Sequence, residues 1–251
     1  MVVQELLALL PNELPDEIAS LALVVCMIGT LIGAALWLAG SCFSRSLITL
    51  STVSLGTTLG MCLPRWMGWT IDGMAPAVGG AVILGVSGYV LHRVWVGIGL
   101  GLVLSCWAAL ATWVFCHGES AWAWPTIDVA MTVLQVAQQI WLALPEAVSR
   151  VLPYVCGAAM LSGLASALLW PRVGVVLLYS LMGVSLLLSA GLTAMRLGYP
   201  DWIALVPSQS SSQVSVVLGL VVLGALVQWW LSPAPAEAGA QAKNSSSDDD
   251  E

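Results

Sequence analysis

Gly85-Val86-Ser87-Gly88 is the run whose residue types first suggest chemistry, because it matches the GxSG pattern of intramembrane serine proteases. The serine of such a pair needs a histidine within hydrogen-bond reach. His92 lies at the end of the same predicted helix, about 140° around its axis, and His117 is expected at the far end of the next helix. Neither can reach Ser87, so the sequence predicts no protease, and no enzyme of another kind.

Other reactive sites are also absent from the pattern. A retinal protein needs a Schiff-base lysine inside its bundle, and the only lysine, Lys243, lies near the C-terminal end. Cys116-His117 is far from a zinc site, which needs about four ligands. The usual charged interhelical motifs of heptahelical receptors are missing as well. The sequence therefore predicts no cofactor and no metal.

The six cysteines are scattered. Cys26 and Cys106 fall in the middle of apolar stretches and are expected to pack as small hydrophobic side chains. Cys62, Cys116 and Cys156 are all expected near one face, the outer one. A disulfide between two of these three stays open, since it depends on an oxidising compartment.

Composition indicates the class of protein. Hydrophobic residues make up 59% of the 251 residues and charged residues only 8%, whereas soluble domains are about 25% charged. The net charge is −7. Because phosphate binding needs clustered lysine and arginine, a nucleic-acid partner is excluded, and the lipid bilayer is the expected surroundings.

Seven stretches are close to the length of about 20 apolar residues that crosses a bilayer. None contains Asp, Glu or Lys, and tryptophans such as Trp37 near their ends are interpreted as an interfacial aromatic belt. The third is short and requires local thinning or tilt. The predicted spans are Ile18–Gly40, Ser46–Leu63, Ala75–Leu91, Val94–Cys116, Val151–Trp170, Val173–Met195 and Val214–Leu231.

Three further segments complete the predicted domains. Residues 1–17 are acidic and carry no positive charge, so they do not resemble a signal peptide, and the first span is expected to remain uncleaved. Residues 232–251 form an acidic tail that is expected to be disordered. Residues 126–144 carry polar side chains at helical spacing, which favours an amphipathic interfacial helix ended by Pro145. An eighth span with its polar stripe turned inward is the alternative.

Three short predicted turns carry arginine and no acid; they lie around Arg45, Arg93 and Arg172. In a seven-span chain these turns share a face with the tail, opposite the N terminus and the acidic loops. Because basic residues favour the cytoplasmic side, we expect the N terminus outside, the C terminus inside, and the plasma (cell inner) membrane as location. The arginines are interpreted as topological anchors. A shared binding surface for anionic lipid or a cytosolic partner is the alternative.

Around these arginines the sequence repeats a hairpin of apolar helix, tight turn and second helix. Five residues before each arginine stand Gly40, Gly88 and Ala167, and two residues before stand Phe43, Leu91 and Trp170. The fold class predicted is therefore an all-α polytopic membrane bundle of seven transmembrane helices, built from three repeated hairpins plus one helix.

This hairpin pattern resembles the seven-helix domain shared by transmembrane protein 198 and seven-transmembrane superfamily member 3, over roughly residues 20–231. The resemblance implies a multi-pass domain linked to signalling scaffolds, and it supplies no catalytic residues.

The glycine pairs at GxxxG spacing are interpreted as helix-packing positions, because small residues let helices approach closely in lipid; they are Gly29/Gly33, Gly56/Gly60 and Gly97/Gly101. A pore or a homo-oligomer seam is the alternative role. The function expected is a non-enzymatic scaffold or interaction protein of the membrane, with a membrane protein or a second copy of the chain as partner. A channel or transporter of a small neutral or lipid-like substrate is the alternative.

Overall fold

The computed structural model of the chain describes residues 16–68, 72–117, 133–198 and 210–231, and this part of the chain is all helical. One 3₁₀ turn, Gly40–Phe43, separates the first two α-helices. The α-helices are α1 (Asp16–Ala39), α2 (Ser44–Met67), α3 (Met74–Val90), α4 (His92–His117), α5 (Val133–Ala143), α6 (Glu146–Leu169), α7 (Pro171–Gly198) and α8 (Ser210–Leu231).

A helix lies at each of the seven predicted spans. Within the described ranges, five helical stretches are long and apolar enough to cross a membrane, which indicates a membrane-embedded protein; they are Ser20–Pro64, His92–Trp113, Glu146–Leu169, Pro171–Gly198 and Ser212–Leu231. The first stretch has 45 residues and contains most of α1, the 3₁₀ turn and most of α2. Helix α3, with 17 residues, is shorter than the helices at the other six predicted spans, as the sequence predicts for the third span.

The turns that carry the arginines are tight. A single residue, Leu91, separates α3 from α4, and its N–H donates to the carbonyl of Ser87 at 2.7 Å. Trp170 separates α6 from α7 in the same way, with its N–H on the carbonyl of Ser166 at 2.9 Å. These bonds use carbonyls that a helix end would otherwise leave without partners.

Helix α5 lies within the predicted interfacial segment and ends at Ala143, two residues before Pro145. The side chains of Gln138 and Trp141 are exposed. Residues 126–132 of the predicted helix lie outside the described residues, as do residues 1–15 and the tail from residue 232. That α5 lies at the membrane interface stays a prediction.

By its contacts the chain divides into two units. The first comprises the described residues within 1–92 and 175–251, and the second comprises those within 93–174. In the first unit, α2 packs antiparallel to α3, and α1 packs antiparallel to α7 and beside α8. In the second unit, α4 packs antiparallel to α6. The fully buried apolar side chains include Leu178 and Val184 in the first unit, and Val96 and Leu100 in the second.

Candidate functional site

Glycine backbones bring α2 and α3 into direct contact. A Cβ atom added at Gly56 would overlap the carbonyl oxygen of Gly80, and one at Gly80 would overlap the carbonyl oxygen of Gly56. One turn farther along α2, a Cβ at Gly60 would lie 2.6 Å from the Cα atom of Ala77. No real Cβ contact is that short, so these two helices can touch in this way only where the side chain is a hydrogen atom.

The contact of α2 with α3 is a seam, that is, a line along which small residues let two helix backbones touch. Helix α1 meets α7 along a second seam. A Cβ at Gly33 would lie 2.9 Å from the backbone nitrogen of Leu187, and one at Gly29 would lie 3.1 Å from the Cβ of Ala190. Gly183 of α7 belongs to the same seam, since a Cβ there would lie 2.7 Å from the Cα of Trp37 in α1. The sequence pattern singled out the glycines of α1 but not the role of Gly183.

The third seam joins α4 and α6 in the second unit. A Cβ at Gly101 would lie 2.6 Å from the sulfur of Met160, and one at Gly97 would lie 2.8 Å from Cδ1 of Leu164. The hydroxyl of Ser105 continues the seam by donating to the carbonyl of Cys156 at 3.0 Å. All six glycines of the three GxxxG pairs thus lie against another helix.

Other glycines of the same helices face open space. Nothing lies within 4 Å of a Cβ built at Gly79, which is the direct neighbour of the seam residue Gly80. The same holds for Gly157, Gly191 and Gly219. Glycine content alone therefore does not mark a seam, and the side of the helix on which a glycine lies decides its role.

A polar junction locks the C-terminal end of α1 to α8. The side chain of Gln228 is fully buried, and its Nε2 donates to the carbonyl of Leu36 at 3.0 Å and to that of Trp37 at 2.8 Å. Regular helix geometry ends here, because the 3₁₀ turn begins at Gly40. The last carbonyls of an α-helix lack intrahelical partners, and the amide of Gln228 supplies donors to two of them.

Trp37 closes the same junction from the other side. Its indole Nε1 donates to the carbonyl of Leu220 at 2.9 Å, and Gly224 gives the ring room, since a Cβ there would lie 2.5 Å from Cδ1 of Trp37. Trp37 lies near a helix end, as expected for an aromatic belt, but its ring packs against α8. One signal in the sequence could have identified the junction: Gln228 is the only Asn or Gln within the seven predicted spans.

The three turn arginines lie in different surroundings. Arg45 is exposed, and its guanidinium carbon lies 4.4 Å from the centroid of the Tyr89 ring in the first unit. Arg93 is exposed and Arg172 is half-buried, both in the second unit. That all three share one face of the membrane stays a prediction.

The small residues aligned five positions before these arginines are alike in the structure, since each is buried. Gly40 lies against Tyr179, where a Cβ would come within 2.7 Å of the tyrosine Cβ. Gly88 lies against the side chain of Thr52, and Ala167 lies against Gly174. The bulky residues two positions before the arginines are all exposed, by 51% to 64% of their surface. The repeat of hairpins itself stays a prediction.

The residues that suggested chemistry are not assembled into a reactive site in the described part of the chain. The hydroxyl of Ser87 donates to the carbonyl of Leu84 in its own helix at 2.9 Å. Cys26, Cys42, Cys62, Cys106 and Cys156 are free thiols. Residues 16–68, 72–117, 133–198 and 210–231 hold no group of three or more His, Cys, Asp or Glu side chains able to bind a metal ion.

Comparisons with known proteins found no matching family model, no similar curated protein and no similar solved structure.

We expect Gln228→Leu to lower the free energy of unfolding by about 1–2 kcal/mol, because two helix-end carbonyls lose a buried donor. Trp37→Phe should give a smaller loss, since it removes one hydrogen bond and keeps most of the ring. Gln138→Leu, at an exposed glutamine of α5, is the matched control. Thermal melting of the detergent-purified variants measures the effect, and equal stability of the Gln228 and Gln138 variants would refute the role of the junction.

Proposed function

We propose that this chain is a seven-span membrane protein that acts as a non-enzymatic scaffold or interaction protein. The observation that carries the proposal is the closure of the helix seams. Along α2 and α3 the backbones of Gly56 and Gly80 touch, and along α4 and α6 a Cβ at Gly163 would lie 2.5 Å from the Cα of Gly101. Helices packed at this distance leave no room between them for a solute.

The span count in this proposal follows from length. The stretch Ser20–Pro64 has 45 residues, which at 1.5 Å per residue measures about 70 Å, twice the thickness of the hydrocarbon core. The 3₁₀ turn at Gly40–Phe43 is the place where it can divide into two spans. Helix α3 is short for a span but crosses with local thinning. With α4, α6, α7 and α8 the count is seven.

The relative directions of packed helices support the same count. In a seven-span chain, α1 and α7 run in opposite directions and α1 and α8 run in the same direction. The contacts agree, because Gly29 pairs with Ala190 while Gly40 pairs with Tyr179, and the order along α8 follows that of α1. We place the N terminus outside, the C terminus inside, and the protein in the plasma membrane.

An outward face of α8 supports an interaction role. A shallow groove of about 400 Å³ runs along this face. It is lined by Ser215, Leu218, Gly219, Val222, Leu223 and Leu226. The open space at Gly219 would let a helix of a membrane-protein partner or of a second copy approach closely. The resemblance to transmembrane protein 198 points in the same direction, since it implies a scaffold.

The seven-span topology is tested by the sidedness of two turns. We expect single cysteines at Ser44 and Ser208, in a background without the six native cysteines, to be labelled from opposite sides of the membrane by an impermeant maleimide. The physical reason is that an even number of spans cannot separate two positions on opposite faces, and the proposal puts five between them. Labelling of both from one side would contradict the topology and make residues 126–144 the first candidate for a missing span.

The function is tested by reconstitution and by cross-linking. Liposomes that contain the purified chain should release glycerol and urea, and scramble labelled lipid, no faster than liposomes without protein. In native membranes, a photo-cross-linker at Leu218 on the α8 groove should give a protein adduct of one defined mass, either a partner or a second copy.

A cross-linker at Leu31 of α1, which is equally exposed at 69% against 65%, should give lipid adducts alone. Solute or lipid flux above the protein-free rate would favour the channel or transporter. Lipid adducts alone at Leu218 would contradict the interaction face.

A further inference from the structure

A second groove, of about 500 Å³, lies between α2 and α3 on the outside of the helix pair. Its walls are nearly all apolar, and they are half exposed, since Val82 and Val86 each show 59% of their surface. The lining residues are Thr49, Val53, Ala81, Val82, Gly85, Val86 and Tyr89.

The groove runs beside a close contact of α2 with α3. At Gly85 a Cβ would lie 2.7 Å from Cγ2 of Val53, so the side chain of Val53 packs directly on the backbone of α3 between the two walls of the groove. Thr49 and Val53 stand one turn apart on α2, while Val82, Val86 and Tyr89 follow one another along α3. The two rows run parallel to the helix axes. The groove between them is about 10 Å long, because Val82 and Tyr89 are seven residues apart at a rise of 1.5 Å per residue.

One end of this groove carries a positive charge. Arg45 precedes Thr49 by one turn on α2, and its guanidinium lies over the ring of Tyr89 at 4.4 Å from the centroid. The side chain of Arg45 is exposed, and the described residues show it no carboxylate partner. A cation held on an aromatic face keeps its position while its N–H donors at the rim remain available for another ligand.

We infer that this groove binds an anionic phospholipid, with one acyl chain between α2 and α3 and the phosphate on Arg45. The charge at one end of the groove matches the phosphate of such a molecule, and the apolar walls match its acyl chain. The planar guanidinium offers paired donors to phosphate oxygens. A transmembrane helix of another protein would fill the groove but would not supply the anion. The inference requires a membrane environment and does not depend on the scaffold role.

The test is native mass spectrometry of the full chain, purified in a mild non-ionic detergent and titrated with phosphatidylglycerol or phosphatidylcholine of equal chain length. We expect the first phosphatidylglycerol to bind more tightly than the first phosphatidylcholine. Arg45→Gln should weaken phosphatidylglycerol binding about tenfold, the size expected for loss of charge-assisted hydrogen bonds, and should abolish the preference. Arg45→Lys should give a smaller loss, because lysine keeps the charge without the fork.

Two further sets of variants separate the groove from general electrostatics. Val82→Trp and Val86→Trp, both at lipid-exposed positions, should fill the groove and weaken the binding of both lipids while leaving the melting temperature unchanged. Tyr89→Leu should weaken phosphatidylglycerol binding by less than Arg45→Gln does, and Tyr89→Phe should bind it as tightly as the wild type. Arg93→Gln, which removes an exposed turn arginine of the second unit, is the charge-matched control.

Three results would overturn the inference. The first is a phosphatidylglycerol preference that survives Arg45→Gln. The second is an equal loss in Arg93→Gln, which would indicate attraction to net charge alone. The third is competition by glycerol 3-phosphate at concentrations where phosphatidylglycerol binds, because that result would mean that the phosphate binds without an acyl chain in the groove.

Discussion

Close approach of helix backbones is the constraint on which the rest of this structure depends. In lipid, apolar side chains gain little by leaving the hydrocarbon for another apolar surface, so helices associate through van der Waals contact and hydrogen bonds. Both need short distances, and glycine provides them. The mutual contact of Gly56 and Gly80, the seam of Gly33 on α7 and that of Gly101 on α6 are three instances of one solution. The bundle in each unit is held where side chains are absent.

The same closeness accounts for the polar contacts and for the surface. Gln228 and Trp37 each donate to backbone carbonyls of the opposite helix, α1 or α8, and Gly224 gives the indole ring the room to do so. In the groove below Arg45, Gly85 lets the side chain of Val53 pack directly on the backbone of α3. Packing of α2 on α3 and binding in the groove thus both involve Gly85, and a substitution there is expected to affect both. The proposed interaction role rests on the same closeness, since the seams within each unit leave no room for a solute between the paired helices.

The helices were predictable and their partners were not. Long apolar runs between polar turns define helices such as α1 and α4 within a few residues, because the length needed to cross lipid is fixed. The GxxxG spacing identified glycines that lie on seams. No local pattern, however, encodes that Gly33 meets Leu187 far along the chain, or that Gly79 faces open space while Gly80 does not. These facts depend on helix rotation, which an apolar helix surrounded by lipid does not reveal through an amphipathic pattern.

The most direct measurement of the central claim compares alanine at two adjacent glycines of α3. Gly80→Ala inserts a methyl group into the carbonyl of Gly56, whereas Gly79→Ala meets nothing within 4 Å. Both changes raise intrinsic helix propensity by the same amount, up to about 1 kcal/mol. The account predicts that Gly80→Ala lowers the free energy of unfolding by about 1–3 kcal/mol, the usual cost of overpacking. Gly79→Ala should leave it unchanged or raise it. Equal melting temperatures for the two variants would contradict the claim that glycine contacts hold these helices together.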